Sequence, residues 1–214
     1  MVYQMDFSSF VFDYFLAFCL GILFAVTINA EAQAFMAQIL GDVRQEDKSR
    51  FHFNALRHLD VLGTIAFLVS GFGWSRWVDI DTSTFKRPRL YTVIVRLAGP
   101  VANFLLASII SSVSLIIEQF AIDPQMLEIV IGVNLMVAVS NLLPIPPMAG
   151  GSIAALLIPE RYGNIRKAFW RLSPYLLVVL LTADRLSKNE IVNRVCMPFF
   201  EPVFSFFTKS YSFG

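Results

Sequence analysis

A helix-breaking run set inside apolar sequence constrains this chain more than any other feature. Residues 141–151 read Asn-Leu-Leu-Pro-Ile-Pro-Pro-Met-Ala-Gly-Gly, with apolar segments leading in and out. Pro144, Pro146 and Pro147 each remove a backbone donor and fix φ, while Gly150 and Gly151 permit φ values that other residues avoid. In lipid the freed backbone groups must be satisfied again, by protein or by a water-lined cavity. The run from Asn141 to Gly151 is therefore expected at the centre of a helical membrane bundle and not against lipid.

Composition points the same way. Of the 214 residues, 56% are hydrophobic and 15% charged, and the mean hydropathy is +0.63. That balance excludes an ordinary soluble core and predicts an all-α integral membrane protein, a single transmembrane domain over residues 1–214. A net charge of +1 gives no reason to expect nucleic acid. Cys19 and Cys196 lie far apart and lack metal-ligand spacing, so both read as small apolar packers. No Lys or Arg precedes Arg44, so the first apolar run is expected to stay as a helix and not to be cleaved as a signal peptide.

Apolar runs long enough to cross about 30 Å of hydrocarbon cover residues 14–40, 90–117 and 126–143. Residues 61–72 are apolar but short, and read as a re-entrant or buried hairpin; 173–182 and 191–207 are weaker apolar runs. Gly41-Asp42 should stop the first helix, and Trp74 and Trp77 are placed like interfacial anchors. The segments Phe51–Leu56 and Trp77–Ile80 have room for a short strand. Basic residues concentrate in Arg44–Arg57, Arg76–Arg89 and Arg161–Arg171, with none between Arg96 and Arg161. The positive-inside rule puts those loops in the cytoplasm and the turn 118–125 outside. The cluster Lys86-Arg87-Pro88-Arg89 reads as topology-setting charge rather than a nucleic-acid or anionic-lipid site.

The Pro/Gly run closely resembles the Asn-x-x-Pro-x-Pro-Pro-Leu-Asp-Gly-Gly loop of the site-2 protease family, the intramembrane zinc metalloproteases. Further segments resemble that family's motifs in the same order. Asn29-Ala-Glu-Ala-Gln33 with Leu40-Gly41-Asp42 is similar to its His-Glu-x-x-His helix and closing Leu-Gly-Asp. Asn54-Ala-Leu-Arg-His58-Leu-Asp60-Val-Leu-Gly63-Thr64 is similar to its Asn-Pro-x-x-His-x-Asp-Pro-x-Gly-Thr segment, and Gly71-Phe-Gly-Trp74 and Ala98-Gly99-Pro100-Val-Ala-Asn103 match others. The resemblance implies a helical bundle like the site-2 protease transmembrane core, in a bacterial-type cytoplasmic (inner) membrane. The Pro/Gly loop should pack against the first span.

In that family two His one helical turn apart share zinc, the adjacent Glu is general base toward the metal-bound water, and the loop Asp is the third ligand. The corresponding positions here are Asn29 and Gln33, Ala30, and Ala149. Amides are poor zinc ligands, and alanine cannot accept a proton. The resemblance therefore implies a pseudoprotease with no metal or other cofactor. His52 and His58, with Asp60 or Asp42, could in principle rebuild a metal site, but their spacing fits no zinc signature.

Asn29 and Gln33 share a helix face, and each amide both donates and accepts. Either they hydrogen-bond Asn141 or the broken backbone near Ala149, replacing the metal as a clamp, or they simply fill the vacated site. Glu31 lies about 15 Å in from the cytoplasmic end of its span and Arg96 about 9 Å. The two are candidates for a buried pair, with snorkelling of Arg96 as the alternative. Asn103 and His58 complete the set of candidate buried polar residues.

On this reading the chain is not an enzyme. It would bind integral membrane proteins or their transmembrane helices within the bilayer, as a scaffold or assembly subunit of an inner-membrane complex. Two rivals stand beside it. One is an active intramembrane zinc endopeptidase with rearranged ligands; the other is a proton- or ion-handling element around Glu31.

Overall fold

The computed structural model describes residues 12–42, 54–70, 73–187, 194 and 197–209. They form α1 (Phe12–Ile39), α2 (Ala55–His58), α3 (Val61–Ser70), α4 (Pro88–Glu118), α5 (Gln125–Asn141), α6 (Ala149–Ala155), α7 (Gly163–Leu186) and α8 (Met197–Lys209). Among the described residues there is no strand, and one antiparallel bridge pairs Leu59 with Ser75. The room for a strand in Phe51–Leu56 and Trp77–Ile80 goes unused. Asn54 caps α2 by accepting the Leu56 amide, residues 77–80 stay irregular, and residues 51–53 lie outside the described residues.

The ends of α1 and α4 follow from their sequences. At Gly41 the chain turns left-handed, φ +117, and the Gly41 and Asp42 amides close back onto Gln38 O and Ala37 O. This is the glycine C-cap that ends a helix by satisfying its last carbonyls. Pro88 opens α4, where its missing N–H has no partner to lose. Both helices are long and apolar enough to cross a membrane.

The burial pattern of α4 is inverted relative to a soluble helix. Its inner face carries Thr92, Arg96, Gly99, Asn103, Ser111 and Ser114, all buried, whereas Leu105 and Ile109 are 60% and 62% exposed. Polar inside and apolar outside is the arrangement a lipid surround favours, since only the interior offers hydrogen-bond partners. By contrast α5 is buried over an unbroken stretch from Val130 to Ala138, which places it in the middle of the bundle. Helices α1, α4 and α5 pack on one another; α3 lies against α7, and α6 against α4.

The remaining apolar runs fall in shorter or longer elements; of 191–207, residues 191–193, 195 and 196 lie outside the described residues and 197–207 belong to α8. The expected third span, 126–143, forms the 17-residue α5, which stops at Asn141. Of the run 61–72, the described residues Val61–Ser70 form a 10-residue helix, about 15 Å long and so half a bilayer; 71 and 72 lie outside the described residues. The run at 173–182 lies within the longer α7, which contains Pro174. Trp74 is not an interfacial anchor. It is 1% exposed, and its Nε1 donates to Asp60 Oδ1 at 3.0 Å.

The Pro/Gly loop turns back tightly into α6. Leu143 N donates to Ser140 O and Met148 N to Ile145 O, so part of the broken backbone is satisfied within the loop. Its glycines serve close approach rather than unusual φ: a Cβ on Gly150 would lie 2.2 Å from Leu142 O, and one on Gly151 2.2 Å from Pro146 N. No displacement of a side chain relieves a clash with backbone. Gly151→Ala is therefore expected to destabilise the protein by about 2 kcal/mol or more, read as a lowered Tm in detergent. Gly163→Ala, where an added Cβ meets nothing within 4 Å, should leave Tm unchanged.

Candidate functional site

One file of hydrogen-bonded side chains runs through the middle of the bundle. Arg96 Nη1 (α4) donates to Gln33 Oε1 (α1) at 2.8 Å and to Val78 O at 2.9 Å. Gln33 Nε2 donates to Asn29 Oδ1 at 2.8 Å, and Asn29 Nδ2 donates across to Asn103 Oδ1 of α4 at 2.8 Å. Asn103 Nδ2 then donates to Ala25 O at 3.0 Å and to Asn134 Oδ1 of α5 at 3.1 Å. Asn134 Nδ2 closes the file on Val130 O. None of these side chains belongs to a residue more than 5% exposed.

The direction of the file is set from one end. A guanidinium only donates, so Gln33 must turn its oxygen to Arg96 and its NH2 to Asn29. The same choice then passes to Asn29, Asn103 and Asn134. Helical spacing makes this possible: Asn29 and Gln33 are one turn apart on α1, and Arg96 and Asn103 are seven residues apart on α4. Gly99 between them leaves the space that Asn29 fills, since a Cβ there would lie 2.7 Å from Asn29 Oδ1.

The family's metal positions are brought together, but with other chemistry. Gln33 and Ala149 line one cavity of about 10 Å³ with Asn141, Pro147 and Trp77, room for about one water. Ala30 is 1% exposed. Zinc does not fit these residues. The oxygens of Asn29 and Gln33 already accept hydrogen bonds, Ala149 offers no lone pair, and a cation sits against Gln33. A divalent ion about 4 Å from that guanidinium would be opposed by roughly 8 kcal/mol at an effective dielectric of about 20. Among the described residues, no three His, Cys, Asp or Glu side chains could jointly hold a metal ion.

Two contacts that the sequence offered as alternatives are not formed. Asn29 and Gln33 do not reach Asn141 or the loop backbone; Asn141 Nδ2 donates to Val137 O of its own helix instead. Glu31 does not pair with Arg96. It stands two residues from both Asn29 and Gln33, roughly 200° around the helix, and so faces away from α4. Its Oε1 lies 2.9 Å from His58 Nε2, while its Oε2 is buried without a hydrogen-bond partner. Nor does Arg96 snorkel: it is 2% exposed, and its Cζ lies 3.5 Å from the Trp77 ring centroid. Trp77 in turn meets Trp170 edge-on at 4.4 Å.

The alternative metal set does not converge either. Asp60 Oδ1 accepts from Gly63 N and Trp74 Nε1, Asp42 Oδ2 accepts from Asp81 N, and His52 lies outside the described residues. Asn134 and the Trp77 face are parts of the site that sequence reasoning missed. Asn134 was detectable as the one amide within the apolar stretch 129–139. Trp77 reads in the sequence only as an interfacial anchor, and its contact with Arg96 depends on where residues 73–81 cross the bundle.

Three measurements test this geometry. Gln33→Leu should cost about 2–3 kcal/mol by stranding a buried donor, and less than the sum of the single effects when combined with Arg96→Leu. A double-mutant cycle should find Glu31 coupled to His58 and additive with Arg96. Restoring Asn29→His, Ala30→Glu, Gln33→His and Ala149→Asp together should leave bound zinc well below one per chain, and adding Arg96→Ser should raise it toward one.

No protein-family model matches the chain, and no solved structure matches it significantly. The chain is 32% identical over 199 residues to a Bacillus subtilis (strain 168) protein named "Putative zinc metalloprotease YwhC", covering 83% of this chain and 91% of that relative. An identity of that level across most of both chains shows the family: this protein belongs to the site-2 protease-like group of zinc metalloprotease homologues.

Proposed function

We propose that this chain is a catalytically inactive member of its family, kept in a multi-pass inner-membrane bundle to bind a transmembrane segment of another protein. One observation carries the reading. Each position that would supply zinc or the general base holds an amide or a methyl group, and the amides are tied into the file that ends on Arg96. The frame around them, from the Gly99-Pro100-x-x-Asn103 turn of α4 to the Pro/Gly loop, keeps its close packing. Chemistry is removed while architecture stays. The basic loops face the cytoplasm in this reading, as the positive-inside rule requires, and the short α3 is the re-entrant element.

The test uses the full chain purified from its own membranes in mild detergent. The expected result is a near-stoichiometric membrane protein that co-purifies, less than one zinc in ten chains, and no chelator-sensitive cleavage of a transmembrane peptide. One zinc per chain with chelator-sensitive cleavage would overturn the reading in favour of a protease with rearranged ligands.

A second reading draws on the unpartnered Oε2 of Glu31 beside His58, a buried acid of the kind proton-handling proteins use. Proton flux into vesicles that is lost in Glu31→Gln and kept in Asn29→Ala would favour it. Unchanged flux in both would remove it.

A further inference from the structure

We propose that the cavity beside Arg96 is a binding site for the phosphate group of an anionic phospholipid. The cavity measures about 280 Å³ and lies where α4, α6 and α7 meet residues 77–82; Arg96, Arg166, Trp77 and Trp170 contribute its walls. That volume is near the lower end of small-molecule pockets, about 300 Å³, and suits a headgroup.

Three features select phosphate chemistry. The hydrogen bonds of Arg96 go to an amide and a carbonyl, both neutral, and its Nε is buried with no partner at all. Arg166 is exposed and stands one turn before Trp170 on the same face of α7, so a second arginine lines the cavity, from α7. Arginine forks match phosphate oxygens in geometry as well as charge. The counterweight is Asp79, an exposed carboxylate that also lines the cavity and interacts electrostatically with Arg96. Two cations against one anion leave the site net positive.

The surroundings select a lipid over a free ion. Thr92 lines the cavity within the first two turns of α4, and Arg166 sits in the first turn of α7. That is the level at which a spanning helix passes through the headgroups, and the level at which paired tryptophans settle. Leu156 and Ile80 form the apolar side of the wall, and the neighbouring Leu157 and Ile165 are 82% and 60% exposed. A headgroup held by the arginines would thus have apolar surface beside it for its chains. Basic pockets between helices at the cytoplasmic face are a recurrent setting for such headgroups. The charges involved differ from the cluster Lys86-Arg87-Pro88-Arg89, none of which lines the cavity.

The experiment is native mass spectrometry and thermal unfolding of the full chain in detergent with phosphatidylglycerol, phosphatidylcholine or inorganic phosphate added. Wild-type protein should retain phosphatidylglycerol in preference to phosphatidylcholine. Arg166→Gln should weaken that preference about fivefold, and Asp79→Asn should strengthen it. These two exposed positions avoid the folding risk of replacing Arg96. Equal retention of both lipids, or a preference untouched by Arg166→Gln and Asp79→Asn, would overturn the proposal. So would stabilisation by inorganic phosphate equal to that by phosphatidylglycerol, which would make the site one for a free anion. Because none of these readouts involves zinc or a protein partner, their failure is separate from failure of the proposed function.

Discussion

A cation buried in an apolar bundle is the constraint to which the rest of this structure answers. Removing a guanidinium from water costs several kcal/mol unless it is compensated, and here Arg96 is contacted from three directions, with its Nε left unpartnered. Gln33 approaches from α1, the Val78 carbonyl from the segment crossing the bundle, and the Trp77 ring covers the flat face at 3.5 Å. A ring face over a desolvated cation contributes about 2 kcal/mol. Each contact fixes something larger than itself. Gln33 sets the rotation of α1, which turns Glu31 toward His58. Val78 and Trp77 pin residues 73–81, whose further attachments include Arg76 N to His58 O, Trp74 Nε1 to Asp60 Oδ1 and Asp81 N to Asp42 Oδ2.

The amide file would not hold without close backbone approach. Asn29 reaches Asn103 because position 99 has no side chain to push α1 away, and Pro100 beside it gives up a donor in a turn already committed to that contact. The same device recurs at the loop, where Gly150 and Gly151 let the first turn of α6 rest on the carbonyls and nitrogens of 142–146. Interhelical hydrogen bonds in membranes are worth only about 0.6–2 kcal/mol each. Their value here is mutual orientation: one donor-only end leaves each amide a single arrangement that satisfies its neighbour.

Much of this was legible in the sequence, for reasons that are local. The C-cap at Gly41, the break at Pro144 and the length of the first two apolar runs depend on neighbours within a few residues, and the helices end where those signals lie. The site positions were legible as well, because the spacing of Asn29 and Gln33 and the order of the motifs are one-dimensional facts. Partner choice was not. The long side chain of Arg96 could span much of the depth difference to Glu31, which favours a pair on reach alone, but depth ignores the angle around α1, and two residues of offset put Glu31 on the far side. Trp74 failed for a related reason. An aromatic after a short apolar helix resembles an anchor until Asp60, fourteen residues earlier, proves to be its acceptor.

The charge balance of the site differs from that of the family's metal centre. The family's arrangement, two neutral imidazoles with two carboxylates around a divalent zinc, sums to zero. The amides Asn29 and Gln33 carry no charge, and each both donates and accepts. Arg96 supplies the donor-only end that orients them, and with it one positive charge. Asp79 lines the cavity and interacts with Arg96, yet it is exposed and not part of the file, so screening by solvent weakens the compensation. The cavity therefore keeps an excess of positive charge between Arg96 and Arg166, and in the proposed lipid site that excess is what a phospholipid phosphate would neutralise.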